Sequence, residues 1–194
     1  MNRIFILSLS LLLFTGAMSC KKRVVIGTSD EEAEKILTAR REELEKKLKD
    51  HYDIPGTSSS AEEAVQKFLD QISKSAAQDN PYVFSREEYL DIYWPNNPDI
   101  YTMNLGLSPE MSWEIESVGR SYLFPGFSNN VLKHRPVRVI RIEYEREPLE
   151  YGVLKIHLPK YILIDAGGEE IRLKFIRVIV EHDHKFKVCS VRKD

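Results

Sequence analysis

Residues 171–191 read IRLKFIRVIVEHDHKFKVCSV, and this run sets the architecture of the C-terminal part of the chain. Its first five residues alternate apolar and basic side chains, which is the pattern of a strand with one buried face. Two further β-forming runs, 176–180 and 186–191, are separated by the polar sequence EHDHK. The pattern predicts consecutive antiparallel strands that end in a hairpin.

Two segments upstream of this run also have strand character. Residues 137–142 alternate valine or isoleucine with arginine over part of their length, and residues 153–164 are rich in β-forming side chains. The sequence DAGG at 165–168 marks a tight turn. Sequential strands joined by short polar turns predict an antiparallel meander.

Three helix starts precede the strands. Residues 60–63 (SAEE) and 85–88 (SREE) have the capping-box pattern, and Ser108-Pro109 places proline at a first helical position. Apolar residues between 64 and 76 recur at spacings of three and four, which predicts a strongly amphipathic helix. Helices followed by strands predict an α+β domain with the helices packed on one face of an antiparallel sheet.

The two ends of this region resemble those of a known family. The opening sequence SAEEAVQKFL at 60–69 and the closing sequence KFKVCSV at 185–191 are similar to the ends of NTF2-like domains, which occur in many small bacterial lipoproteins. The resemblance covers residues 58–194 in order of elements. It implies a long N-terminal helix that crosses a strongly curved sheet to form a cone. Some enzymatic members carry an Asp/His dyad, and no such pair stands out here.

The N-terminus has the pattern of a secretion signal. Met1-Asn2-Arg3 supplies one positive charge, and residues 4–14 form an apolar run that is too short for a comfortable membrane span. The following GAMSC at 16–20 resembles the relaxed, spirochaete-type lipobox of bacterial lipoproteins. The resemblance implies that residues 1–19 are a cleaved signal peptide and that Cys20 carries acyl chains such as palmitate, which hold the protein on the membrane.

Two details bear on this assignment. Lysines follow Cys20 where some bacteria use aspartate for inner-membrane retention, which favours the outer membrane. The alternative is an ordinary signal peptide with an incidental cysteine, in which case Cys20 and Cys189, the two cysteines of the chain, would be free to pair.

Residues 20–57 are interpreted as a tether between the lipid and the domain at 58–194. Asp30–His51 has acidic residues at its start and lysines near its end, as expected for a charged helix. Its apolar stripe is thin, which favours a spacer over a coiled-coil segment, the alternative interpretation. The sequence IPGTSSS at 54–60 predicts a linker.

Composition excludes several classes of protein. The chain has 194 residues, a net charge of −2 and 42% hydrophobic residues, which suits one folded domain plus a tether. The chain has no large excess of basic residues, so its composition does not indicate a nucleic-acid partner. No glycine-rich phosphate loop is present, so no cofactor is expected.

Aromatic residues crowd into the middle of the chain and form the candidate binding site. They could line a pocket mouth or a contact patch, or serve as core for short helices. The residues assigned to the site are Tyr93, Trp94, Tyr101, Trp113, Tyr122 and Phe124.

Two other groups of residues are weighed for chemistry. In an extended strand His182 and His184 would share a face and could bind a metal with His157 or His134 as a third ligand, whereas a solvated hairpin turn is the simpler interpretation. Cys189 lies in an apolar-alternating strand, which favours a buried core thiol over a nucleophile. No catalytic residue and no metal are assigned.

The sequence therefore predicts a lipid-anchored envelope lipoprotein that acts as a non-catalytic binding or interaction module. An enzyme that uses the interior of an NTF2-like cone is the first alternative, and a structural envelope component is the second. The partner of such a module could be a protein or a small molecule. A dimer is compatible with the family resemblance.

Overall fold

Helices occupy the N-terminal half of the described chain and strands the C-terminal half. The structure, a computed structural model, describes residues 30–74, 80–97, 108–127 and 136–192. The helices are α1 (Asp30–Glu45), α2 (Ala61–Lys74), α3 (Arg86–Glu88), a π-helical turn (Tyr89–Tyr93), α4 (Trp94–Asn96) and α5 (Pro109–Phe127). The strands are β1 (Val137–Tyr144), β2 (Leu149–Tyr151), β3 (Leu154–His157), β4 (Pro159–Ala166), β5 (Glu170–Leu173), β6 (Ile176–His182) and β7 (Lys185–Val191).

The predicted capping signals operate as helix starts. The Ser60 hydroxyl accepts the Glu63 amide at 3.1 Å before α2. At α3 the Ser85 hydroxyl accepts the Glu88 amide, and the Glu88 carboxylate accepts the Ser85 amide at 2.6 Å, so both halves of the capping box are formed. The helical region that begins at α3 ends at Asn96, inside the predicted proline stop.

The strands form two antiparallel sheets, with orders β1-β4-β5 and β2-β3-β6-β7. One long hairpin connects the two sheets. Strand β1 pairs with β4 in its first half, and β2 pairs with β3 in its second half. The hairpin bends between Tyr144 and Leu149 and again at Leu158, where the Glu145 amide donates to the Leu158 carbonyl at 2.9 Å. Strand β5 ends at Leu173 and β6 begins at Ile176. Across this short break the chain passes from one sheet to the other at the same bend.

Two apolar clusters lie on opposite faces of β6 and β7. The first is formed by α2, the β1-β4-β5 sheet and Phe124 of α5, and it contains the fully buried Phe68, Ile164 and Ile179. The second contains Val180 and Cys189, whose side chains point away from the first because residues alternate along a strand. Residues of α1, the π-helical turn and α4 pack there, so helices contact both faces instead of the single face predicted.

The α+β class is thus confirmed, and the structure has two antiparallel sheets with a few helices.

Helix α2 is attached to the edge strand β1 by Gln66. The side-chain amide of Gln66 donates to the Val137 carbonyl and accepts the Val139 amide, both at 2.8 Å. This pairing satisfies backbone groups that an edge strand would otherwise expose.

The predicted tether contacts the domain at its C-terminal end. Helix α1 ends at Glu45, ahead of the predicted His51, and Leu44, Tyr52 and Ile54 are buried in the second cluster. The Ser58 backbone exchanges two hydrogen bonds with Phe186, at 2.9 and 2.8 Å. Residues 52–58 are therefore held by specific contacts where a flexible linker was predicted.

Candidate functional site

An open cleft lies where the long hairpin bends. It has a volume of about 630 Å³ and sits between the start of α2 and the loop that follows β1. The residues that line it are Ser59, Ser60, Ala61, Glu62, Tyr144, Arg146, Glu147, Pro148, His157 and Phe186.

A histidine–glutamate pair forms part of the cleft wall. His157 Nε2 lies 2.8 Å from Glu181 Oε2, and both side chains are largely buried. The rings of Tyr144 and Phe186 each lie 5.6 Å from the His157 ring and hold it from two sides. Burial, together with the carboxylates of Glu62 and Glu181, raises the pKa of Tyr144 to about 12.

The serine hydroxyl groups of the cleft are used at the start of α2. The Ser59 hydroxyl donates to the Glu63 carboxylate at 2.6 Å, and the Ser60 hydroxyl accepts the Glu63 amide. His157 Nε2 is engaged by Glu181. Among the described residues of this cleft, no serine is therefore paired with a histidine as an activated nucleophile requires.

The predicted aromatic site is divided by the structure. Tyr93 and Trp94 are buried in the second cluster, where Trp113 packs against Tyr89 with ring centroids 5.5 Å apart. Phe124 belongs to the first cluster. These four act as core, whereas Tyr122 is 77% exposed and Tyr101 lies outside the described residues.

Trp113 also borders a smaller cavity. This cavity of about 300 Å³ is lined by Asn80, Val83, Phe84, Ser85, Arg86, Glu87, Trp113, Ser117 and Arg120. The Arg120 guanidinium lies over the Trp113 ring, 4.8 Å from its centroid. Trp113 therefore combines a core role with contact to a buried cation.

Helix α5 buries an ion pair beside core side chains and exposes apolar side chains on its opposite face. Its buried face carries Glu116 and Arg120, joined by a hydrogen bond of 3.1 Å. Its outward face carries four exposed apolar side chains, and we call this set the α5 stripe. The members of the α5 stripe are Met111, Ile115, Val118 and Tyr122.

The predicted pair of hairpin histidines is not formed. Asp183 and His184 have φ values of 50° and 58°, so they make the turn itself and the strand alternation stops before them. His182 is buried, whereas the side chain of His184 is 93% exposed. The turn replaces the extended strand on which the shared face depended. His51, which the sequence did not single out, lies against His182 instead, with ring centroids 5.3 Å apart.

The two cysteines have different outcomes. Cys189 is a free, fully buried thiol, and burial raises its pKa well above the ordinary value, as expected for a core residue. Cys20 lies outside the described residues, as does His134.

Within the described ranges, no helix combines the length and apolar character needed to cross a membrane.

Sequence reasoning missed two buried ion pairs. Glu116–Arg120 has an i,i+4 spacing that can be seen in the sequence, whereas Glu88–Lys187 joins residues far apart in the sequence.

No protein-family model, curated protein or solved structure matches the chain.

Proposed function

We propose that this protein is a lipid-anchored, non-catalytic interaction module of a bacterial cell envelope, and that it acts by pairing with a second copy through the α5 stripe. The α5 stripe carries the proposal. A helix that buries an ion pair and exposes isoleucine, valine, methionine and tyrosine leaves apolar surface that another molecule can cover.

The spacing of the α5 stripe favours a helix as the occupant. Residues 111, 115, 118 and 122 are separated by four, three and four positions, which matches alternating a and d positions of a heptad. Such a seam packs against a second helix by inserting side chains between those of its partner. A continuous sheet edge or a small ligand does not match this spacing.

A second copy complements the stripe in both size and charge. In an antiparallel pair related by a twofold axis, Met111 faces Tyr122 and Ile115 faces Val118. The exposed acidic residues Glu110 and Glu114 lie toward the N-terminal end of the stripe, so in an antiparallel pair the acidic groups of the two copies stay apart. An anionic bilayer is a poorer match, because Glu110 and Glu114 are exposed on this helix and Arg120, its one basic residue, is buried.

The filled interior of the domain supports binding over catalysis. An enzyme of the first alternative type would use the space between α2 and the curved sheet. That space holds the first cluster, in which Phe68 and Phe124 pack edge to face with ring centroids 5.7 Å apart. Two features support an NTF2-like cone as the finer description of the fold. Helix α2 lies across β1 and β7, and the strand pairs β1-β2, β3-β4 and β5-β6 each continue across the bend.

Replacing Ile115 and Val118 together with glutamate is the test of the contact surface. We expect the full-length protein in detergent to be a dimer by light scattering, and the double variant to be a monomer. The dissociation constant should rise at least about 100-fold, because two carboxylates would be buried in an apolar seam.

The matched control is Ile140→Glu, which alters an exposed isoleucine on β1, 38% exposed, away from α5. This variant should remain dimeric. A monomeric wild-type protein, or a dimer that persists in the double variant, would rule out the α5 stripe as the contact surface.

Cys20→Ala tests the anchor. We expect wild-type protein from a bacterial host to enter the detergent phase and to carry added acyl mass, and the variant to stay in the aqueous phase, because it lacks the thiol that would be acylated. Intact mass and detergent partitioning measure both effects. Cys189→Ala, which removes the other cysteine, should behave as wild type. Wild-type protein that is cleaved without gaining lipid contradicts the anchor.

A further inference from the structure

Three potential metal ligands from two distant segments meet at the β6–β7 hairpin. His51 lies between α1 and α2, His182 ends β6, and Asp183 is the first turn residue. His51 Nδ1 is 2.9 Å from Asp183 Oδ2, and His182 Nε2 is 3.4 Å from the same oxygen. The three ligand atoms all lie within 4.8 Å of one another.

The orientation of His182 is set by two backbone groups. The Tyr52 amide donates to Nε2 at 3.1 Å, so this nitrogen carries a lone pair and no proton. Nδ1 lies 3.2 Å from the Val153 carbonyl, to which it donates its proton. The carbonyl on Nδ1 thus fixes the tautomer in which Nε2 can bind a metal, in exchange for its hydrogen bond with the Tyr52 amide.

We propose that His51, His182 and Asp183 form a binding site for a first-row divalent transition metal. Two imidazoles and one carboxylate are a donor set for such ions. With metal–ligand bonds of about 2.0–2.1 Å, neighbouring ligand atoms lie about 3.0–3.5 Å apart. The 3.4 Å distance from His182 to Asp183 lies in this range, and the 2.9 Å distance from His51 to Asp183 is just below it. The third edge closes by a small movement of His51, whose side chain is 72% exposed.

The site is open on one side and closed on the other. His51 and Asp183 face solvent, so water can complete the coordination, whereas the side chain of His182 is buried with 5% exposed. Metal binding at His182 Nε2 would replace the hydrogen bond that the Tyr52 amide now donates to this nitrogen. Asp183 tolerates its positive φ of 50°, as aspartate and asparagine often do in turns.

The neighbouring ionisable groups belong to a different contact. Glu181 is engaged by His157, and His184 Nδ1 lies 3.8 Å from Glu181 Oε1. His184 therefore stands in the same turn without belonging to the site, and it offers a matched control. The bound ion would join the segment that follows α1 to the C-terminal hairpin, and so fix the end of the predicted tether on the domain.

Zinc titration of the full-length chain in detergent, after removal of metals with a chelator, is the test. Calorimetry should show one Zn²⁺ bound per chain, and the melting temperature should rise by several degrees. His51→Ala and Asp183→Asn should each weaken binding at least tenfold. Both change exposed groups, and asparagine keeps the turn, so the fold should be preserved. His184→Ala should bind within twofold of wild type.

Two results would overturn the site. Absence of saturable zinc binding would show that His51 and Asp183 form only an ion pair. Binding that is unchanged in His51→Ala, or lost equally in His184→Ala, would place the ion elsewhere. Since neither variant touches α5 or Cys20, these results are independent of the proposed function.

Discussion

Lys187→Met is expected to lower the free energy of unfolding by about 3–5 kcal/mol, the range measured when one partner of a buried ion pair is removed. Lys187 Nζ donates to both Glu88 oxygens, at 2.8 and 2.9 Å, and to the Pro55 carbonyl at 2.7 Å. All three protons are thus used inside the protein. Burial lowers the pKa of Lys187, and the hydrogen bond and charge of Glu88 oppose this effect.

Methionine fills most of the same space but leaves Glu88 as an uncompensated charge. It also releases Pro55 from β7. Urea unfolding followed by circular dichroism would measure the loss. Lys185→Met is the matched control, because Lys185 lies two residues earlier on the same strand and is exposed. It should change stability by less than about 0.5 kcal/mol.

The double variant Lys187→Met, Glu88→Gln separates the charge from the packing. Glutamine can still accept the Ser85 amide and preserve the capping box, so the double variant should be more stable than Lys187→Met alone. A single variant within about 1 kcal/mol of wild type would mean that the pair contributes little to the fold.

Arg120→Met is expected to cost a similar amount, about 3–5 kcal/mol, for a different reason. Arg120 donates to the Phe84 carbonyl at 2.6 Å, to the Cys189 carbonyl at 2.8 Å and to Glu116 at 3.1 Å. Removing it leaves two backbone carbonyls and one carboxylate without their donor. Each such group carries a desolvation penalty when it stays buried.

The remaining contacts of Glu116 make a second comparison possible. Its carboxylate also accepts the Ser190 hydroxyl at 2.8 Å and the Val191 amide at 2.9 Å, so it joins α5 to β7. Chemical unfolding should show Arg120→Met less stable than Ser117→Ala, a change on the same helix at a half-buried position. Equal stability of the two variants would contradict a structural role for the buried pair.

Local signals in the sequence predicted much of the fold. The Ser85–Glu88 box, the Ser108-Pro109 start and the alternation at residues 171–175 each act over a few residues, and the structure confirms each of them. The bends of the hairpin were not predicted, because they depend on which strand pairs with which across the sheet. The contacts of residues 52–58 were missed for the same reason, since a proline–glycine–serine sequence carries no sign of its distant partners.

The candidate sites were harder to predict than the fold. Periodicity shows which residues of α5 share a face, and charges normally mark the exposed one. Here three backbone groups, of Phe84, Cys189 and Val191, and the Ser190 hydroxyl satisfy Glu116 and Arg120. The ion pair is therefore buried, and the α5 stripe lies outside. His51 and His182 lie 131 positions apart, and no local pattern connects them.

The attachment of residues 52–58 to the C-terminal hairpin decides how the molecule bears tension. The Tyr52 amide is held by His182, the Pro55 carbonyl by Lys187 and the Ser58 backbone by Phe186. A pull on α1 therefore loads β6 and β7 before it reaches α2. We expect the pairing of β7 with β6, and the bridges from Ser58 to Phe186 and from Val83 to Val188, to share this force.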